Sequence, residues 1–329
     1  MEIGVILFPP LGKTAQTAQM IEGLGLASML FPDSQNLAPE VWGQLMLAAA
    51  ATSKLQLGPG VTNSVTRDPA VTASAALSLQ AESGGRAVLG IGRGDSSVQR
   101  IGKREDPVAS FARYLAVVQA YLRGETVDRD GFASRLEWFE HTHVPKVPVE
   151  VAATGRRVIE VAAQHADGVC LAVGADPEYL GSVLERGRAS AAGRSVRWGA
   201  FVNAVVHDDV QVARDAVRGS AASFARFSAF RGSDLSRLPA PLAAAARWLR
   251  EHYDMRQHTR TGVPHTAGIG DEFVDWFAIA GPVDVARERF RRLAALGLDF
   301  CWVAPGSTGM PRDVAASSIV RLAREVLPV

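Results

Sequence analysis

The feature that most constrains this chain is an alternation repeated eight times: a short apolar run, a loop, then helical periodicity. The runs are IGVILF (3–8), LASMLF (26–31), LQLGPGV (55–61), AVLGI (87–91), VPVEVA (147–152), GVCLAV (168–173), WGAFVNAVV (198–206) and DFCWVA (299–304). Near-continuous apolar runs of this length suit strands of a parallel sheet covered on both faces. Between them, residues 107–123 set Val108, Phe111, Leu115, Val118 and Leu122 at steps of three and four, one buried stripe. Pro107 suits the first turn and Gly124 the exit. Residues 283–296 repeat the device with Ala286, Phe290, Leu293 and Leu296, and a last helix is expected over 312–326. Eight such units in 329 residues predict an α/β protein, a (β/α)8 TIM barrel forming a single domain over 1–329. The alternative, an open doubly wound sheet, does not require the eighth strand near the C-terminus. Two segments exceed the minimal barrel, one after the helix of the fourth unit (124–146) and one between strands seven and eight (208–280). Insertions of that kind usually cover an active site or make subunit contacts.

Composition narrows the function. A net charge of +1 with scattered Lys and Arg gives no reason to expect a polyanion, so nucleic acid is a poor partner. Cys170 and Cys301 lie in apolar runs without CxxC spacing and read as small core residues in a reducing compartment. No metal-ligand spacing joins the seven histidines. No apolar run reaches the roughly 18 residues of a membrane span. MEIGVILFPP lacks a basic flank and breaks at two prolines, so it reads as a first strand. A cytoplasmic setting is the expectation.

In a barrel the loops that follow strands open on one face, where catalysis sits. The polar clusters fall there: PDSQN (32–36), TNSVTRD (62–68), GRGDSS (92–97), ATGRR (153–157) and GADPE (174–178). ATGRR opens a helix directly after a strand, which suits either a phosphate or a plain N-cap by Thr154. GRAVLGIGRGDSS (85–97) begins a dinucleotide fingerprint at Gly90 and Gly92, but Asp95 stands where the third glycine belongs. Two readings of that loop remain: close approach of a ligand to Gly92 and Gly94, or a turn with a surface ion pair.

The stretch LGPGVTNSVTRDPAVTASAALSLQAESGGRAVLGIGRGDS (57–96) closely resembles the segment joining the third and fourth strands in the bacterial luciferase-like superfamily. Within it, the branch using the deazaflavin coenzyme F-420 is the most similar. The resemblance continues through VPVEVAATGRRVIEVAAQHADGVCLAVGADPE and DEFVDWFAIAGPVDVARERFRRLAALGLDFCWVAPG, covering most of the chain. It implies a coenzyme ring resting on Gly60, Val61, Thr62 and Asn63, with a non-prolyl cis peptide at Gly60–Val61. It also implies coenzyme contacts from Arg93 and Gly94, and a phosphate held by Ala153, Thr154, Gly155 and Arg156.

Such chemistry needs one proton group, and Asp33, Asp95 and His265 are the candidates, with His265 read as a lid residue. Sugar-phosphate dehydrogenases of this branch carry a histidine beside the aspartate after strand two. Here the pair reads Asp33–Ser34, so reduction of a carbonyl or activated alkene fits better than oxidation of a sugar alcohol. Ser34, Trp42 and Trp138 are the expected substrate contacts, although both tryptophans read equally well as core or interface packing. Two alternatives stand beside this reading: an FMN-dependent monooxygenase of the same fold, and a flavin-binding carrier without turnover. The resemblance further implies a homodimer.

Overall fold

The computed structural model describes residues 1–229 and 234–327. The chain opens with β1 (Glu2–Ile6), α1 (Thr14–Gly23), β2 (Ser28–Phe31), α2 (Val41–Ala51), β3 (Gln56–Pro59) and β4 (Thr62–Asn63). Next come α3 (Pro69–Glu82), β5 (Leu89–Gly92), the one-turn α4 (Ser96–Gln99), α5 (Val108–Leu122), β6 (Val127–Arg129) and β7 (Phe132–Ser134). They are followed by β8 (Val149–Ala153), α6 (Arg156–His165), β9 (Gly168–Leu171), α7 (Pro177–Ser190), β10 (Arg197–Val206) and α8 (Val210–Ala225). The last elements are α9 (Ala240–His252), α10 (Asp271–Phe277), β11 (Ile279–Gly281), α11 (Val283–Ala295), β12 (Phe300–Ala304) and α12 (Arg312–Arg321).

Each of the eight expected runs contains a strand, and the order in the sheet is β3-β2-β1-β12-β10-β9-β8-β5-β4. β3 lies in the run 55–61, and β4 follows it directly, the two separated by Gly60 and Val61. Packing divides the chain into two compact units, one of residues 6–169 and 190–197, the other of 1–5, 170–189 and 198 onward. In the first, β2 pairs with β3, β4 with β5, and β5 with β8, all parallel. In the second, β12 lies between β1 and β10, and β11 also pairs with β10, at Ala204–Val206.

Local chemistry explains many boundaries. Asp68 caps α3, accepting the Ala70 N–H at 2.8 Å, with Pro69 in the first turn. The stripe expected on α5 is buried at Phe111, Leu115, Val118 and Leu122. Gly124 leaves that helix at φ +73°, and the Phe139 ring occupies the space a Cβ would need.

The insertions have structure that periodicity did not show. The first forms the hairpin β6–β7, turned by Asp130 and Gly131 at φ 54° and 87°, and Arg129 ties it to Asp68 at 2.7 Å. The second supplies α8, α9, α10 and β11, with Val217, Ala221, Leu242, Leu249, Phe273 and Phe277 in one apolar cluster. Cys170 and Cys301 are free and buried, and burial pushes the Cys301 thiol up to about 12. No described helix is long and apolar enough to cross a membrane.

Candidate active site

Three loops at the carboxyl ends of β2, β4 and β5 are joined by side-chain hydrogen bonds, all within the first unit. Buried Asp33 accepts the Thr62 hydroxyl at 2.7 Å and Arg67 Nε at 3.1 Å on one oxygen, and Arg67 Nη2 at 3.4 Å on the other. Arg67 also reaches Glu40 at 3.0 Å. Burial opposes the charge on Arg67, but its bonds to Asp33 and Glu40 and their charges outweigh that and raise its pKa. Ser34 Oγ lies 2.9 Å from Ser96 Oγ, Gln35 donates to the Ser97 carbonyl at 2.6 Å, and Asn63 donates to Ser97 Oγ at 3.1 Å. The Asn63 carbonyl oxygen accepts the N–H groups of Val65 and Thr66, both at 2.9 Å, which sets the turn after β4. The Gly60–Val61 bond is cis.

A Cβ on Gly92 would meet Val61 at 3.3 Å, and one on Gly94 would meet Val98 at 2.9 Å. Protein atoms fill those positions, so these glycines let the loops pack closely. Gly94 also takes φ +97°, which side chains disfavour. Arg93 is half-buried, and its Nε donates to the Asp106 carbonyl while its own carbonyl accepts the Asp106 N–H at 2.9 Å. Burial lowers its pKa, with Glu105 and Asp106 acting in the opposite direction. Ser64 holds the Asp106 carboxylate at 2.6 Å, so this segment is anchored to two site loops.

At the end of β8, Ala153 is buried and Gly155 stands at the N-cap of α6 with φ −83° and no side-chain cap. The first turn of α6 carries no acidic residue, and nothing lies within 4 Å of a Cβ built on Gly155. This end therefore presents backbone N–H groups to an open space beside Thr154 and Arg156. The Arg156 guanidinium is turned outward, paired with Glu160 at 2.7 Å.

Trp42 is buried in α2, its indole N–H without a partner among the described residues. Trp138 is half-buried ahead of a 3-10 turn whose Phe139 covers Gly124, on the amino-terminal side of β8. His265 belongs to the second unit and is buried against Tyr253 at 4.4 Å between ring centroids. Asp95 is half-buried at the N-cap of α4 and makes no capping bond. Sequence reasoning missed Arg67, Gln35, Ser96, Ser97 and Asp106. The available signal was an acid and a base in successive strand-end loops, Asp33 and Arg67.

A parallel α/β fold with hydrogen-bonded loops at its strand ends is the arrangement in which barrel enzymes build their sites. The chain belongs to the luciferase-like monooxygenase family, whose model matches residues 3–300. The 5,10-methylenetetrahydromethanopterin reductase of Archaeoglobus fulgidus is 29% identical over 295 residues, 88% of this chain and 87% of that protein. The enzyme of the same name from Methanolobus tindarius is 29% identical over 179 residues, 52% of this chain; the match spans about half (54%) of that relative. The structure of coenzyme F-420-dependent tetrahydromethanopterin reductase from Methanopyrus kandleri has a TM-score of 0.73 and 22% identity, covering 99% of this chain and 98% of that one. The barrel expected from the alternation is the fold of this chain.

Proposed function

We propose that this chain is a coenzyme F-420-dependent oxidoreductase, moving a hydride between that deazaflavin and a small organic substrate, with a carbonyl or activated alkene as acceptor. The observation that carries the reading is one compact unit holding both the bonded loops after β2, β4 and β5 and the uncapped α6 N-terminus. The F-420-dependent tetrahydromethanopterin reductase that shares this fold supports F-420 over FMN.

The residues fit such a group. The Arg156 and Arg157 backbone N–H groups at the start of α6 suit a phosphate, and Gly155 leaves the approach clear. When bound, F-420 supplies a hydride-carrying ring carbon where a flavin has nitrogen, with little oxygen chemistry. The chain has to orient, exclude water and handle one proton. Asp33, engaged by Thr62 and Arg67, acts as an orienting acceptor at the loop formed by Gly60, Val61, Thr62 and Asn63. Asp95 is the proton group. The Ser34–Ser96 pair holds two hydroxyl protons and uses one in its mutual bond, leaving the other for a substrate oxygen. A homodimer in a reducing cytoplasm completes the reading.

The deciding experiment titrates the protein with F-420 and with FMN, then follows oxidation of reduced F-420 against ketones and enones. Quenching of deazaflavin fluorescence and turnover with part of the panel are expected. Tight FMN binding with unchanged deazaflavin fluorescence rejects the proposal, and F-420 binding without any turnover makes the protein a carrier. In the same assay Arg93→Ala should weaken coenzyme binding roughly tenfold, the loss of one charge-assisted hydrogen bond. Its melting temperature should fall slightly, because the bond from Nε to the Asp106 carbonyl is lost as well. Unchanged binding would reduce Arg93 to a loop anchor.

A further inference from the structure

The insertion after α5 reaches the strand-end loops through one side chain. The hairpin β6–β7 pairs Arg129 with Phe132 across its turn. Arg129 grips Asp68 with a fork, Nη2 to Oδ2 at 2.7 Å and Nη1 to Oδ1 at 3.2 Å. Its Nη1 also lies 3.4 Å from Tyr121 Oη on α5, and that hydroxyl donates to Ser134 Oγ on β7 at 2.7 Å. The guanidinium is therefore aimed by α5, which is itself bonded to the second strand of the hairpin. The Arg129 and Asp68 side chains are 34% and 45% exposed, and an ion pair so open adds little stability. What a two-pronged bond to a carboxylate does provide is a fixed relative geometry.

Asp68 stands between that hairpin and the site. Its Oδ1 accepts the Ala70 N–H at 2.8 Å, so the carboxylate that Arg129 grips is also the N-cap of α3. The preceding residue, Arg67, is held at its carbonyl by Tyr114 Oη of α5 at 3.1 Å. A phenol has one proton to give, so in the 2.6 Å bond between Tyr114 and Thr72 of α3 the Thr72 hydroxyl is the donor. Burial pushes the Tyr114 hydroxyl up to about 12 against the effect of the Thr72 bond, so its proton stays in place at neutral pH. Residues 67 and 68 are thus fixed from two sides, by Tyr114 on the main chain and by Arg129 on the Asp68 side chain. Arg67 is left with its guanidinium on Asp33 and Glu40. Its Nη2 contact with Asp33 is 3.4 Å, near the limit of a hydrogen bond, so a slight outward movement of residues 67–68 breaks it first. All of these groups lie in the first compact unit.

We propose that Arg129 is a positioning residue for the strand-end site. Acting through Asp68 and Arg67, it sets where the Asp33 carboxylate is held beside the loop Gly60–Asn63. The hairpin is then a strut that shapes the site without touching a ligand. Its effect on turnover rests on the oxidoreductase reading above, whereas the strut itself does not. The competing role is a local brace for the start of α3, which would stabilise the fold and leave Asp33 indifferent to Arg129.

Two measurements on Arg129→Met test this, with Arg135→Met as control. The control removes a comparable exposed pairing, with Glu137 and Glu140, from the same insertion. Without any coenzyme, hydrogen exchange at the Val65 and Thr66 amides, which donate to Asn63, should quicken at least about threefold in Arg129→Met. Exchange in β12 should stay as in wild type, and Arg135→Met should change neither region. In the F-420 assay, Arg129→Met should lower kcat/KM roughly three- to tenfold, a fraction of what a full misplacement costs. Arg129→Lys, which keeps the charge and loses the fork, should recover only part of that. In an Arg67→Met background the same Arg129→Met change should cost nothing further, because the path to Asp33 is already cut. Equal losses in the two backgrounds overturn the proposal and make Arg129 a brace for the fold alone. So does exchange at Val65 and Thr66 that is unchanged, or that quickens evenly throughout the chain. If wild type turns over no acceptor, the oxidoreductase reading falls and the exchange result alone decides the strut. If Arg129→Met does not fold, Arg129→Lys takes its place in both measurements and decides.

Discussion

Arg67→Ala is expected to lower stability by about 2–3 kcal/mol and kcat/KM roughly a hundredfold. Asp33 is 6% exposed at its side chain and Arg67 23%, so removing the guanidinium leaves a largely buried carboxylate with only Thr62 to answer it. Breaking a fully buried pair costs about 3–5 kcal/mol, and the partial exposure of Arg67 reduces that figure. The bond to Glu40, whose side chain is 59% exposed, adds little by itself. The effect on turnover follows because Asp33 and Thr62 border the Gly60–Asn63 loop, and a shift of about 1 Å at such a point can cost a hundredfold. Arg67→Lys should recover part of the stability and little of the activity, since a point charge cannot reproduce the Nε and Nη2 fork. A double-mutant cycle with Asp33→Asn and Arg67→Met, read by urea unfolding, should show coupling of about 2 kcal/mol. Simple additivity in that cycle would remove the pair from the account.

Gly58→Ala should destabilise the protein by about 3 kcal/mol, the upper end of the overpacking range. Its new methyl carbon would stand 1.9 Å from the Val88 carbonyl oxygen and 2.9 Å from the Val88 side chain. The two segments cannot draw apart cheaply, because Leu57 N–H donates to Arg86 O and Val88 N–H donates to Leu57 O, both at 2.9 Å. Backbone is the obstacle, so no rotamer change relieves the clash. Gly155→Ala is the matched control, with open space and an ordinary φ of −83°, and should change stability by less than about 0.5 kcal/mol. Chemical denaturation compares the two. A Gly58→Ala protein as stable as wild type would mean that β3 and the segment before β5 do not approach as described.

Much of the fold was legible because its signals are local. The helix expected over 107–123 is Val108–Leu122, and that over 283–296 is Val283–Ala295. The helix expected over 312–326 is Arg312–Arg321 followed by a π turn at Leu322–Val326. The hairpin β6–β7 was not legible: its strands are three residues each and its Phe132 is exposed, so no alternation of burial marks it. The site was partly legible. Polar loops after strands pointed to Asp33, Ser34 and Asn63, and the structure brings all three into one bonded group. What each side chain does there was not legible. Arg93 has the composition of a ligand contact, and the sequence did not show that its Nε also bonds the Asp106 carbonyl.

The sequence by itself determined the alternation of strand and helix, the register of buried stripes and the set of strand-end loops. Each of those depends on residues within a turn or two of one another. Only the tertiary structure decided that Asp33 is bound by Thr62 and Arg67, 29 and 34 positions away, and Ser34 by Ser96, 62 positions away. The same holds for Gly92 and Gly94, whose missing side chains make way for Val61 and Val98. A side chain's partner is set by which loops the parallel strands bring side by side, and that adjacency is a property of the sheet's strand order, absent from any local stretch of the chain.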